Sequence, residues 1–230
     1  MKKLISFIFM RTLPVLFAFL FLGIAFGLLL QQAGYNAVWA FMISTFVYAG
    51  SMQFVLIPFL GTQASILTII LMTLSINCRH IFYGLSFIDK FKSLGKKYPY
   101  MIFSLTDETY SLLCSTKIPK ELDEKKVFFG IALFTHIYWI SGSVMGALLG
   151  ELITFDTTGI EFAMTALFVV IFIEQWISAK SHIPAAAGLI CGTVSLLIFG
   201  PGRFILPALL AAVVIILACK NTIQGKEVRL

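Results

Sequence analysis

Apolar segments that are long enough to cross a lipid bilayer recur along this chain from one end to the other. A helix needs roughly 20 mostly apolar residues to cross a hydrocarbon core about 30 Å thick. Helices satisfy their own backbone hydrogen bonds, which lipid cannot do for them. The pattern therefore predicts an all-α integral membrane protein, a polytopic helical bundle with six full crossings, at residues 13–30, 65–87, 127–150, 162–177, 184–198 and 204–219.

The composition supports a single transmembrane domain over residues 1–230. Hydrophobic residues make up 59% of the 230-residue chain and charged residues 12%, whereas about a quarter of an average soluble chain is charged. The mean hydropathy is +0.96. A lipid bilayer is therefore the expected environment, and we expect no separate soluble domain.

The positive charge indicates orientation and does not indicate nucleic-acid binding. The net charge is +6, but the lysines and arginines lie in short loops beside apolar segments, as in cytoplasmic loops. Residues 1–11 contain Lys2, Lys3 and Arg11, and the loop 89–97 has four lysines against one aspartate. We expect both termini to be cytoplasmic and the membrane to be the bacterial inner membrane.

The segment 38–60 conflicts with this orientation if it crosses completely. The N-terminus and the loop 89–97 can both be cytoplasmic only if an even number of segments crosses between them. Gly50, Ser51 and Gln53 lie near the middle of the segment, and Pro58 and Gly61 close it. These residues favour a re-entrant segment or a broken pair of helices.

A second short segment, 101–116, contains Thr106, Asp107, Glu108 and Thr109 and is a poor crossing by itself. Its position before the 127–150 crossing parallels that of segment 38–60 after the first crossing. The sequence thus predicts two broken or re-entrant segments, arranged as two related halves that meet at a site in the middle of the membrane.

Glycines are spaced for close helix packing in two of the crossings. Gly23 and Gly27 are four residues apart, and Gly142, Gly146 and Gly150 repeat at the same interval. Small residues at this spacing allow two helix backbones to approach each other. We expect each of these faces to pack tightly against a neighbouring helix.

A cation and two carboxylates in apolar segments are candidate site residues. Arg79, beside Asn77, is either a functional group or an interfacial anchor, with equal weight. Asp107 and Glu108 could bind an ammonium group or carry a coupling proton. The alternative is that these two carboxylates cap a half-helix or pair with Arg79.

His80 and His136 are expected to satisfy internal hydrogen bonds. The four cysteines are widely separated, and the sequence predicts neither a disulfide framework nor a metal site. No nucleotide-binding loop, zinc motif or catalytic triad is recognisable, so neither enzymatic activity nor a cofactor is predicted.

An ordered set of motifs resembles the AzlC family along nearly the whole chain. The set consists of the entry 14–27, YAGSMQF at 48–54, NCRH at 77–80, TDE at 106–108 and GIEFAMTALF at 159–168. The resemblance implies the large subunit of a bacterial inner-membrane exporter of branched-chain amino acids, such as leucine, isoleucine and valine. It also implies a small four-span partner subunit of the AzlD type.

The residues predict how such a substrate would bind, because a zwitterion in a dry cavity needs both charged ends satisfied. Half-helix N–H groups near Gly50, Ser51 and Gln53, with or without Arg79, would hold the carboxylate. Asp107 or Glu108 would hold the ammonium group or the coupling proton, and Asn77 belongs to the same predicted set. The alternatives are a channel and a structural subunit whose small partner carries the site.

Overall fold

The computed structural model describes residues 2–62, 64–152, 181–200 and 204–218, together with eight positions between 162 and 177. The described residues form helices and turns with no strand, so the predicted all-α fold is confirmed for them. Half of the predicted segment 162–177 lies outside the described residues. The eight positions are Phe162, Thr165, Ala166, Val169, Phe172, Ile173, Trp176 and Ile177.

The chain forms two compact units. The first consists of Met1–Ala64 and Ile76–Glu161, and the second of Ser65–Ser75 and Phe162–Leu230. The helices are α1 (Lys2–Gln32), α2 (Ala37–Phe46), α3 (Ser51–Gly61), α4 (Ile66–Lys92), α5 (Tyr98–Phe103), α6 (Asp107–Ser115), α7 (Glu124–Leu152), α8 (Ile183–Phe199) and α9 (Ile205–Ala218), with a 3-10 turn at Gly95–Lys97. Helix α4 begins in the second unit and continues into the first, and α8 packs on α9 within the second.

Two helices in the described part of the chain, α1 and α7, are long and apolar enough by themselves to cross a membrane. Helices α8 and α9 coincide with the predicted segments 184–198 and 204–219 to within a residue at each end. The number of six crossings and the relation between two halves remain predictions.

The first helix begins earlier than the sequence predicts. A start near residue 13 would place Pro14 in the first turn, but α1 begins at Lys2 and Pro14 lies inside it. A proline inside a helix removes one backbone hydrogen bond. One side of the preceding turns packs in the core, where Ile8 is 3% exposed and Thr12 is fully buried.

The predicted glycine contacts are confirmed, and the two glycine faces pack against each other. A Cβ atom built on Gly23 would lie 2.9 Å from the Ser143 backbone nitrogen, and one built on Gly142 would lie 2.9 Å from the Phe19 carbonyl oxygen. Only residues without a side chain allow this approach. The contacts advance in the same direction along both chains, so α1 and α7 are parallel. Two parallel crossings require an odd number of crossings between them.

The loops collect at opposite ends of the first unit as their charges predict. Lys125 donates a 2.7 Å hydrogen bond to the Ser93 carbonyl, and Lys90 lies 3.7 Å from Glu124. The basic loop 89–97 therefore lies at the same end as the start of α7. At the other end, the Ala37 N–H donates to Glu151 across 3.3 Å. The uncharged turn after α1 therefore lies beside the acidic end of α7.

Both predicted interruptions are present. Segment 38–60 is divided into α2 and α3 by residues 47–50, where Tyr48 and Gly50 have positive φ angles of 40° and 41°. Segment 101–116 is divided into α5 and α6 by residues 104–106. A positive φ is unusual for a tyrosine, so the first interruption is held by its surroundings rather than by local preference.

Candidate functional site

The two interruptions meet on adjacent residues of α7, close to the middle of that helix. The Tyr48 ring, in the first interruption, lies 4.2 Å from the His136 ring between centroids. Thr109, in the first turn after the second interruption, has its hydroxyl oxygen 3.1 Å from that of Thr135. The structure thus brings the two broken segments together around one stretch of the long helix.

His136 connects α2 to α5. Its Nε2 atom lies 3.2 Å from the Ser44 carbonyl oxygen, and its Nδ1 atom lies 3.1 Å from the Tyr100 hydroxyl. A carbonyl can only accept, so Nε2 carries a proton, and in the neutral ring Nδ1 then accepts from Tyr100. Both ring nitrogens are satisfied, as predicted. The bond also serves a carbonyl in the last turn of α2, where intrahelical partners run out.

Trp139 connects α7 to α3 through Gln53. The indole N–H donates to Gln53 Oε1 across 2.9 Å, and the same oxygen accepts from the Ala49 N–H at 3.1 Å. The Gln53 amide nitrogen donates to the Ser44 hydroxyl at 3.4 Å. Gln53 is the third residue of α3 and reaches back to the residues before the helix, as the glutamine of a capping box does.

We call Thr135, His136 and Trp139 the α7 hub. Through hydrogen bonds of these three side chains, the hub contacts all four half-helices of the two broken segments: Thr135 binds α6, His136 binds α2 and α5, and Trp139 binds α3. Thr135 is fully buried and His136 and Trp139 are nearly so. Buried hydrogen bonds of this kind fix the geometry of both interruptions.

The start of α6 is ordered by hydroxyl groups and carries two carboxylates. The Thr106 side chain caps the helix by accepting from the Thr109 N–H at 3.3 Å. Asp107 and Glu108 occupy the first turn and are half-buried. Negative charge is favourable there because of the helix dipole, whereas the side chain that caps the helix is that of Thr106.

The start of α3 has a different character. Its first turn contains no acidic residue, and its N-cap residue, Gly50, provides no side-chain cap. Apart from Gly50 and its two chain neighbours, no atom of the described residues lies within 4 Å of a Cβ atom built on Gly50, although Ser51 beside it is buried. The N-terminus of α3 therefore combines a positive dipole end with open space at Gly50.

Five of the seven predicted site residues lie at the two interruptions. Gly50, Ser51 and Gln53 lie at the first interruption and Asp107 and Glu108 at the second, and the α7 hub holds both interruptions together.

Asn77 and Arg79 lie on α4. The buried Asn77 Oδ1 has no hydrogen-bond partner among the described residues. The Arg79 side chain is outside the described part of the chain. His80 Nδ1 lies 3.2 Å from the Asn77 carbonyl oxygen, which confirms the expected internal hydrogen bond of this histidine.

Four residues of this arrangement were not identified from the sequence: Ser44, Tyr100, Thr135 and Trp139. A signal for two of them was present, because Thr135, His136 and Trp139 place hydrogen-bonding groups close together on α7 within an otherwise apolar crossing. Ser44 and Tyr100 give no such signal, since single hydroxyl groups are common at these positions.

Comparisons with known proteins give a consistent family. The AzlC protein family matches residues 14–153. The chain is 39% identical over 220 residues to the branched-chain amino acid transport protein AzlC of Bacillus subtilis, covering 96% of this chain and 87% of the relative. An uncharacterized membrane protein of Helicobacter pylori is 40% identical over 217 residues, covering 94% and 95%. No solved structure matches the chain.

Proposed function

This chain is a membrane protein of the AzlC family, and from that premise we propose that it is a secondary transporter that exports branched-chain, hydrophobic amino acids. The observation that carries the proposal is the similarity to the Bacillus subtilis protein, whose name states branched-chain amino acid transport, over almost the whole chain. The arrangement of the two interruptions supports it independently, because their two helix N-termini suit the two ends of an amino acid.

The α3 N-terminus suits the substrate carboxylate. Backbone N–H groups at a helix start point outwards and carry a partial positive charge. The first turn of α3 has no acidic residue, and there is open space at Gly50. We assign the carboxylate to the N–H groups at Gly50 and Ser51, with Arg79 on α4 as an additional partner.

The α6 N-terminus suits the substrate ammonium group. Asp107 and Glu108 add two carboxylates to a helix end that would otherwise favour anions. A buried ammonium group needs such a partner, because an unpaired charge in a dry site is costly. The orphaned Asn77 Oδ1 is a further acceptor on α4. One carboxylate would hold the ammonium group, and the other would carry the coupling proton.

Gln53 takes a positioning role in this proposal. Its oxygen already accepts two hydrogen bonds, and its nitrogen donates one. It is fully buried. We therefore assign Gln53 to the geometry of the α3 start, while the neighbouring backbone provides the contact with the substrate.

The remaining parts of the proposal follow from the family. The chain works with a small four-span partner subunit of the AzlD type in the bacterial inner membrane, with both termini cytoplasmic. Export is driven by proton or ion exchange. Phe, Leu and Met side chains near the interruptions take the aliphatic part of the substrate. The chain carries the transport site and performs no enzymatic reaction.

Leucine and isoleucine efflux from preloaded cells tests this function. The chain is expressed alone and together with the small four-span partner subunit of the AzlD type, and the amounts of both proteins are measured. We expect efflux of both amino acids only when both proteins are present. Folded proteins in the membrane without branched-chain efflux would contradict the substrate class.

A further inference from the structure

The N-terminal part of α1 lines a largely open surface cavity with basic side chains. The cavity has a volume of about 720 Å³ and is lined by residues of the first three turns: Lys2, Lys3, Ser6, Phe7, Met10 and Arg11. Three of these side chains are cations, and no carboxylate is among the described residues that line it. Three positive charges around one cavity favour an anionic ligand.

One of the three cations, Arg11, is held in place by a neighbouring ring. The Arg11 guanidinium lies 5.4 Å from the centre of the Phe7 ring, within the range of a cation–π contact. Phe7 is itself partly buried against the core of the first unit. An arginine fixed in this way can present its planar N–H groups to the oxygens of a phosphate group.

An exposed apolar strip begins at this cavity and continues along the same helix. Met10, Phe17 and Phe21 follow one another at intervals of seven and four residues and therefore share one helix face. Their exposed fractions are 65%, 66% and 73%. This strip lies on the opposite face of α1 from Gly23 and Gly27, which pack on α7.

The strip extends about as far as one leaflet is deep. The eleven-residue advance from Met10 to Phe21 corresponds to roughly 16 Å along a helix, and half of a hydrocarbon core about 30 Å thick is similar. A ligand that fits both parts has an anionic head and a hydrocarbon chain. The basic cavity would take the head, and the strip would take the chain.

We propose that this face of α1 is a binding site for an anionic phospholipid, with its phosphate in the cavity formed by Lys2, Lys3 and Arg11 and an acyl chain along Met10, Phe17 and Phe21. The site is separate from the two interruptions, so the proposal does not depend on which substrate the protein transports. It assigns a function to the basic N-terminus beyond orientation in the membrane.

The test measures binding of phosphatidylglycerol and of phosphatidylcholine to the purified full-length protein in detergent by native mass spectrometry. The test variant replaces Lys2, Lys3 and Arg11 by Gln. A matched variant replaces the exposed Lys96, Lys117 and Lys120 by Gln and changes the net charge equally. We expect phosphatidylglycerol binding about tenfold weaker or more in the first variant only, since cations near an anionic lipid attract its head group.

A third variant, with Phe17 and Phe21 replaced by Ala, tests the apolar strip that would bind the acyl chain, without changing the charge. It should weaken phosphatidylglycerol binding while leaving the weak binding of glycerol phosphate, which has the head without the chains, unchanged. If the variant at Lys2, Lys3 and Arg11 and the matched variant lose phosphatidylglycerol binding equally, net charge alone explains the binding and the proposal is overturned. Equal binding of both phospholipids, or of glycerol phosphate and phosphatidylglycerol, would also overturn it.

Discussion

The Trp139 indole N–H donates a 2.9 Å hydrogen bond to the Gln53 carboxamide oxygen, and this bond ties the middle of α7 to the start of α3. The same oxygen accepts from Ala49, in the segment between α2 and α3. One side chain thereby links a continuous helix to both sides of an interrupted one. The geometry of the interruption between α2 and α3 depends on the Gln53 side chain.

Replacing Gln53 by Leu should destabilise the protein. The change leaves the buried donors of Ala49 and Trp139 without their acceptor, and each unsatisfied buried group costs about 1–3 kcal/mol. We expect the midpoint of thermal unfolding in detergent to fall by several degrees. Gln32→Leu, at an exposed position at the end of α1, is the control and should leave the midpoint unchanged. Equal midpoints for the two variants would contradict the role assigned to Gln53.

Two substitutions of His136 distinguish the contribution of its ring from that of its hydrogen bonds. His136→Phe retains an aromatic ring against Tyr48 but removes the donor to the Ser44 carbonyl. His136→Gln retains an N–H donor. Because a buried carbonyl at the end of α2 would lose its partner, Phe should reduce both thermal stability and leucine efflux more than Gln. If Phe is tolerated better than Gln, the hydrogen bonds of the hub are not what matters.

Replacing Gly146 by Ala should disrupt the contact of α1 with α7. The new Cβ atom would lie 2.7 Å from the Ile24 Cα atom, which belongs to the backbone and cannot move aside. We expect a loss of about 2 kcal/mol or more in stability. Gly84→Ala on α4 is the matched control, because no described atom outside the local helix lies within 4 Å of a Cβ atom built there and alanine favours a helix by up to about 1 kcal/mol. A stabilising effect at both positions would refute the tight packing.

Replacing Thr106 by Ala should weaken the start of α6. The hydroxyl caps the helix through the Thr109 N–H, and loss of such a cap costs about 1 kcal/mol. Thr106→Ser keeps the cap and should behave as wild type in thermal unfolding and in efflux. Identical behaviour of Ala and Ser would show that this cap does not order Asp107 and Glu108.

The sequence predicts the architecture around the site better than its contacts. Both interruptions could be located because carboxylates, and the backbone groups left unpaired where a helix breaks, are unfavourable in lipid unless protein surrounds them. The glycine faces could be recognised because close backbone approach needs small residues at regular intervals. The sequence contains no comparable pattern for the contact of Ser44 with His136, which depends on how distant segments pack. The start of α1 at Lys2, before the predicted crossing 13–30, could not be recognised because it depends on the packing of Ile8 and Thr12 against distant parts of the chain.

The positions of Gln53 and Asn77 show the same limit. Both were predicted as substrate-binding residues from their polarity in apolar segments. Only the structure shows that Gln53 uses its hydrogen bonds internally, whereas Asn77 Oδ1 is buried without a partner among the described residues. Polarity alone cannot separate a residue that shapes a site from one that contacts the substrate.

Leucine counterflow in proteoliposomes containing this chain and its small partner tests the central claim most directly. Wild type should exchange leucine, and isoleucine and valine should compete. Asp107→Asn and Arg79→Gln, compared at equal amounts of folded protein, should each reduce exchange by about 30-fold or more, because an unpaired buried charge costs about 2 kcal/mol or more. Undiminished leucine exchange in both variants would contradict the site at the two interruptions.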